Sequence, residues 1–334
     1  MKQEAHKHHY IPRFILKNFN DENGQVNYWD IKNNKLEKRN IKSIFMNIDM
    51  YRDETLNKKN PTQIELKLSV FECEIADLIA KKILGKDEII ITRRELEMLR
   101  IFITLLSFRS NSRMEQYKNS KFDDFTKEEL LAFQPDGNFK KLWKRELNIL
   151  ATCRSYKEIE ESDAIDSIIK IDFFNILTGF YMTFVDARGG QFILSDIYPT
   201  LEVFPTGIAD MPMHYIIPLS PTRMLLLNHI MFKENENYPM FKEMISLSKI
   251  KGDAIATPKN KYKSYRSMSI DDQYIYKVKK IYADDIQYMN ALVLNEARIG
   301  IIFRDKDRIV DSISSFNRRN DTKQKFVELE KILK

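Results

Sequence analysis

Residues 61–83 read PTQIELKLSVFECEIADLIAKKI, with apolar side chains at Ile64, Leu68, Phe71, Ile75, Leu78, Ile79 and Ile83. An α-helix turns about once per 3.6 residues, so steps of three and four stack these positions into one stripe and predict an amphipathic helix. Residues 92–106, TRRELEMLRIFITLL, repeat the pattern with Leu96, Leu99, Phe102, Ile103 and Leu106. Thr92 and Glu95 have the spacing of a capping box, each side chain satisfying an orphan amide of the first turn. Two such stripes joined by a short connection are expected to pack on each other as an antiparallel pair. This pair makes the first half of the chain predominantly helical.

Working outward, Pro12 can start a short helix over 12–19, and residues 21–24 make a turn. Residues 25–31 and 35–40 read as two strands joined at Asn33-Asn34, a pair that tolerates the positive φ of a tight hairpin. Thr126 with Glu129 repeats the cap signal ahead of Leu130 and Phe133, a helix is expected over 139–150, and a long one over 166–186 ends at Gly189-Gly190. Segments 191–194, 215–219, 224–228 and 299–303 suit one small sheet, with a further helix over 271–298. The expected class is α+β, predominantly helical with a small β-sheet and an N-terminal β-hairpin. No repeat or Gly/Pro/Ser linker cuts the chain, so one domain is expected over 1–334, its helical half about 1–188 and its mixed β/α half about 189–334.

The 334 residues include 9 Gly and 10 Pro, too few for collagen-like or low-complexity disorder. The two cysteines, Cys73 and Cys153, sit in no metal or redox spacing, and the start MKQEAHKHH is charged where a signal peptide needs an apolar run. With no apolar stretch of membrane-spanning length, a cytoplasmic protein without a membrane partner is expected. A net charge of +6 and a pI near 8.9 suit a phosphate-bearing partner and plain solubility equally. Neither GxGxxG after a strand, GxxxxGK[ST], HExxH nor GxSxG occurs, which excludes the dinucleotide, P-loop, zincin and hydrolase-elbow readings.

Three of the five histidines, His6, His8 and His9, fall in the first nine positions, directly before Tyr10-Ile11-Pro12-Arg13-Phe14. Imidazole titrates near neutrality and can serve as general base or metal ligand, and Pro12 stiffens the segment behind it. Asp196 ends a short strand before a rigid Ile197-Tyr198-Pro199 turn, where its carboxylate can be catalytic or can bond its own turn. Glu65 and Glu72 are seven apart on one helix face, and Arg109 and Arg113 are four apart on the next helix. These groups can meet in one cleft, or Glu72 and Arg109 can simply pair between helices. Residues 259–266 interleave cations with aromatics. Lys259, Lys261, Tyr262, Lys263 and Arg266 are therefore candidate nucleic-acid contacts, against the alternative of a solvated loop. Lys140, Lys141, Lys144 and Arg145 read as a solvated helix face.

The run His8-His9-Tyr10-Ile11-Pro12-Arg13-Phe14-Ile15-Leu16-Lys17-Asn18-Phe19 resembles the N-terminal signature of the bacterial domain-of-unknown-function family 4238. That signature is a His-aromatic-aliphatic-Pro motif running into Leu-x-x-Phe, which makes His9 the motif histidine. The resemblance continues through Tyr28-Trp29-Asp30, Met50-Tyr51, Glu65, Glu72, Arg109, 192–199, Pro218-Leu219-Ser220-Pro221 and Asn290. Where the family has Ser-Asp-Asn-Pro, this chain reads Ser195-Asp196-Ile197-Tyr198-Pro199. Polar motif positions in distant segments imply a site. By analogy with other orphan bacterial families, the leading expectation is an antiviral-defence or toxin effector that cleaves phosphodiester bonds in RNA or DNA. His9 would be base or metal ligand, Asp196 its orienter, Glu65 or Glu72 a further carboxylate, and Arg109 a phosphate stabiliser. A divalent metal cofactor is compatible with this set, and the sequence does not choose one. The alternative is a non-enzymatic sensor or partner-binding subunit of a defence system, in which the same residues fasten the N-terminal segment. In either case His9 is expected to be docked, with a neighbouring carboxylate raising its pKa unless burial or a bound cation overrides that.

Overall fold

A computed structural model describes residues 6–55, 57–205, 210–229, 257–258, 269–319 and 324–334. The two stripes form the helices Gln63–Leu78 and Arg93–Phe108, the first running on into a π-helical turn at Ile79–Ile83. The Thr92/Glu95 capping box is made. Lys82, at the end of the first, pairs with Glu95, at the start of the second, and Phe71 meets Phe102 edge-on with ring centroids 5.7 Å apart. The pair is therefore antiparallel, as its stripes require. The short connection is itself a strand, Glu88–Thr92, paired with Gln273–Lys277.

The N-terminal hairpin consists of Gln25–Asp30 and Lys35–Asn40, with Asn34 at φ +48° in its turn. It is the edge of a larger sheet. Gly300–Phe303 pairs antiparallel with Gln25–Asp30, and Leu194–Ser195 pairs antiparallel with Gly300–Phe303, giving four strands. A five-stranded sheet has the order Lys279–Ile281, Phe180–Ala187, Arg223–His229, Asp210–Pro218, Thr200–Pro205. A three-stranded sheet holds Thr257–Pro258, Gln273–Lys277 and Glu88–Thr92, and Lys7–His9 pairs with Met46–Ile48.

The fold is thus mixed α/β with four sheets, and the expected predominantly helical class with one small sheet is corrected. Three segments account for the difference. The expected helix over 166–186 stops at Gly179, and Phe180–Ala187 continues as a strand, because its aromatic and β-branched side chains fit a buried pleated surface. Over 271–298, only Ala283–Glu296 is helical; Ile275, Val278 and Ile281 mimic helical spacing but lie in or beside the strands Gln273–Lys277 and Lys279–Ile281. Leu194–Ser195 joins the hairpin sheet rather than the Tyr215 and Met224 strands, which pair with each other. The cap of the helix Asp124–Phe133 is Asp123, which accepts the Thr126 amide, in place of Thr126 itself.

Two apolar clusters result. The larger gathers the helix pair with Tyr10, Ile15, Phe19 and Tyr51. The smaller centres on Trp29, Phe192, Met289, Phe303 and Phe316, between the hairpin sheet and the helices Ala283–Glu296 and Val310–Arg319. Among the described residues no helix is long and apolar enough to cross a membrane.

Candidate functional site

The N-terminal motif is docked. His8 and His9 alternate along Lys7–His9, yet both are buried, because strand pairing with Met46–Ile48 and the following Ile11-Pro12 turn press the segment onto the helix pair. His8 Nδ1 accepts the Tyr51 amide at 2.9 Å, and its ring stacks on Tyr51 at 5.4 Å. His9 Nε2 lies 3.0 Å from the Ile41 carbonyl, so that nitrogen carries the hydrogen of the neutral ring. Burial lowers the His9 pKa to about 4; the Ile41 carbonyl opposes this, and Arg13, Arg109 and His8 reinforce it. The ring is neutral at pH 7: it bonds the Ile41 carbonyl, and the charged groups acting on it are cations, so the neighbouring carboxylate expected to raise its pKa is not among its partners.

Arg109 is 1% exposed. Its guanidinium donates to the Glu72 carboxylate, to the backbone oxygen of His9, and to the Tyr51 hydroxyl at 3.2 Å. Tyr51 donates back to the Arg109 carbonyl at 3.1 Å, and burial pushes its own pKa up to about 12. Glu72 and Arg109 therefore form the inter-helix pair weighed in the sequence, and the same guanidinium holds the N-terminal strand.

Glu65 sits one face-repeat before Glu72, half-buried. Burial raises its pKa to about 7, with Arg109 and Arg13 pulling down and Glu72 pushing up. Its Oε2 is buried without a hydrogen-bond partner. Arg13, in the first turn of Arg13–Lys17, is exposed and had not been singled out in the sequence.

Asp196 stands apart from this group. Its Oδ1 accepts the backbone N–H groups of Arg298, Ile299 and Gly300 at 2.9, 2.9 and 3.2 Å, and its own N–H returns to the Gly300 carbonyl. It bonds neither His9, Glu65, Glu72 nor Arg109; the expected role as orienter of His9 gives way to bracing the turn at residues 298–300. Lys259, Lys261, Tyr262, Lys263 and Arg266 lie outside the described residues. Lys144 and Arg145 are not a solvated face: Lys144 donates to the Arg52 carbonyl, and Arg145 covers the Phe133 ring at 4.5 Å. Among the described residues no three His, Cys, Asp or Glu side chains are grouped to hold a metal ion.

Cavities open on the turn that follows Arg109. One of about 380 Å³ is lined by Asn111, Gln116, Lys121, Asp196 and Arg298. A second of about 160 Å³ shares Ser112 and Ile197 with it, and a third of about 410 Å³ shares Asn111 and Glu115 and reaches Asp49 and Lys140. They form one groove of mixed polar and apolar lining along the helix Asn111–Lys118. Asn47 Nδ2 donates to Asn111 Oδ1 at 2.6 Å, tying the groove to the strand Met46–Ile48 that pairs with the histidine strand. Of the motif residues Asp196 lines the groove, while His9, Glu65, Glu72 and Arg109 lie outside its lining.

Two further polar groups were not legible beforehand. Glu202 accepts from Tyr288 at 2.9 Å and pairs with His214 Nδ1 at 2.9 Å; only the strand register, which sets Glu202 opposite His214, reveals it. Glu146 is fully buried, meets Arg145 at 3.4 Å and the Asp166 amide at 3.3 Å, and has its pKa raised by burial to about 7. A carboxyl raised in the fold binds its proton more tightly there than in the unfolded chain, so its stabilisation is full below about pH 4.5 and is lost as pH rises through about 7. Glu146→Gln should therefore flatten the fall in stability between pH 5 and 8 by on the order of 3 kcal/mol. Denaturant unfolding of both proteins across that window measures it; parallel pH profiles would refute it.

The family model described as "Protein of unknown function (DUF4238)" matches residues 7–307. No curated protein and no solved structure matches the chain. The matched segment spans the hairpin sheet, the helix pair, the histidine strand and the groove, and the chain belongs to the DUF4238 family.

Proposed function

We infer that this protein is a ligand-binding, sensor-type subunit whose recognition surface is the groove along Asn111–Lys118. Arg109 carries this reading: a guanidinium enclosed by Glu72, Tyr51 and the His9 backbone fastens the N-terminal strand, just ahead of the helix along the groove, and has no open arm for a substrate phosphate. Asp196 acts likewise on the turn at residues 298–300. A place in bacterial antiviral defence is suggested by the family analogy alone.

One observation favours the second reading, phosphodiester cleavage. Glu65 offers a buried, unpartnered oxygen on a carboxyl poised near neutrality, within the field of Arg109 and exposed Arg13, which suits proton transfer. Incubating the purified chain with labelled RNA and DNA, with and without Mg²⁺ or Mn²⁺, separates the two. The binding reading expects no cleavage above background. Cleavage that disappears in Glu65→Gln with an unchanged melting temperature would overturn it and establish the enzyme.

A further inference from the structure

Asp49, Glu115, Asp196 and Glu296 along the groove are matched in number by Lys118, Lys121, Lys140 and Arg298, but the two signs differ in how they are bonded. Its carboxylates are engaged: Asp49 with His6 at 2.9 Å, Glu115 with Asn119 at 3.0 Å and Lys118 at 3.3 Å, and Glu296 with Asn295 at 2.7 Å. Asp196 is saturated on one oxygen by three backbone amides. Among the described residues, the side chains of Lys121, Lys140 and Arg298 make no hydrogen bond or ion pair, and all three are exposed along the groove.

The neutral lining is biased the same way. Asn111 has its side-chain oxygen taken by Asn47 at 2.6 Å, and Gln116 has its own taken by Arg113 at 3.1 Å. Those bonds fix both amides and leave each NH2 as a donor without a protein acceptor. Two amide donors and two unbonded cations face this cavity beside Glu115 and Asp196, whose oxygens already accept from protein donors; the donor excess suits a ligand rich in anionic oxygen, and a guanidinium matches phosphate in a two-pronged fashion. Cavities of about 380 and 410 Å³ sharing Asn111 and Glu115 are of small-molecule size.

We propose that the groove binds a phosphate-bearing ligand of nucleotide size, its phosphate oxygens on Lys121, Arg298 and the amides of Asn111 and Gln116, and its remainder running past Glu115 toward Lys140. This rests on the binding reading above and names its ligand class. Lys140 supplies a second cationic point, so a ligand with two phosphates binds more tightly than one with a single phosphate.

Titration calorimetry of the full chain at low salt, with adenosine, AMP, inorganic phosphate and a 5′-phosphorylated dinucleotide as probes, tests this. The dinucleotide should bind best, AMP and inorganic phosphate more weakly, and adenosine not at all, with affinity falling as salt rises. The combined Lys121→Ala/Arg298→Ala variant should lose about tenfold or more in affinity at an unchanged melting temperature. Lys121→Arg/Arg298→Lys, which keeps the charges but moves the guanidinium off its proposed position, should recover only part of the affinity lost in the alanine variant. Adenosine binding as well as AMP, alanine variants binding as the parent does, or no probe binding at all would each overturn the groove assignment. Cleavage of the dinucleotide lost in Glu65→Gln would overturn the binding-subunit reading while the groove assignment stands.

Discussion

Arg109→Ala is expected to destabilise the protein by about 3–5 kcal/mol, the cost of breaking a buried ion pair from one side. Removing the guanidinium leaves the partly buried Glu72 without its counter-charge and strips a donor from the His9 carbonyl and the Tyr51 hydroxyl, both on buried residues. The loss is not evenly spread. The amides of residues 7–10 should exchange with solvent much faster, because the strand Lys7–His9 loses its tie to the helix pair through Arg109 and keeps its pairing with Met46–Ile48, the flanking His6 and Tyr10 bonds and the His8 and His9 side chains. Arg109→Lys should recover only part of the stability, since one ammonium cannot serve a carboxylate, a carbonyl and a hydroxyl in the fixed fork of a guanidinium. Thermal melting with hydrogen exchange reads both effects. A melting temperature unchanged in Arg109→Ala would remove the fastening role, and with it the main support for the binding reading.

The second large effect is expected at Gly300. A β-carbon there would lie 2.5 Å from the Tyr28 hydroxyl oxygen, 2.6 Å from its Cζ and 2.7 Å from the Trp29 carbonyl. None of these can retreat at small cost. Tyr28 is buried against Phe45 at 6.0 Å and under the Arg39 guanidinium at 4.2 Å, and the Trp29 backbone is held in the ladder opposite Ile301. Gly300 also donates to Asp196 and accepts from it, so displacing this strand loosens the brace. Gly300→Ala should therefore cost about 3 kcal/mol through overpacking. Gly24→Ala is the contrasting control: its φ of +72° disfavours a side chain but nothing lies within 4 Å, so roughly 1 kcal/mol is expected. Denaturant midpoints compare them, and equal losses at the two sites would show that the close approach to Tyr28 does not matter.

What could be read from the sequence divides along the range of the interactions. The Gln25–Asp30/Lys35–Asn40 hairpin and the capped helix Arg93–Phe108 are determined by neighbours a few residues away, and both appear as the spacing implies. Phe180–Ala187 is a strand because Arg223–His229 lies beside it, and an apolar run alone does not separate a buried strand from a buried helix. The site follows the same division. Motif chemistry marked His9, Glu72, Arg109 and Asp196 as special. Their partners are mostly backbone groups far along the chain, such as the His9 carbonyl for Arg109 and the amides of residues 298–300 for Asp196, and every residue type carries those alike. The groove was invisible for the same reason, since Lys121 and Arg298 meet only once the Asp196 turn is folded.

The pairing of Gly300–Phe303 with Gln25–Asp30 has a consequence for how the chain is made. The hairpin can close as soon as it emerges from the ribosome, but the strand that covers its inner edge is synthesised about 270 residues later, roughly 15–50 s at ordinary elongation rates. Throughout that interval the Gln25–Asp30 edge presents unpaired amides and carbonyls, an open template for another chain. The four-stranded sheet is accordingly the last of the sheets to be completed, and crowded nascent chains face their greatest hazard of mispairing at the segment that carries Tyr28 and Trp29.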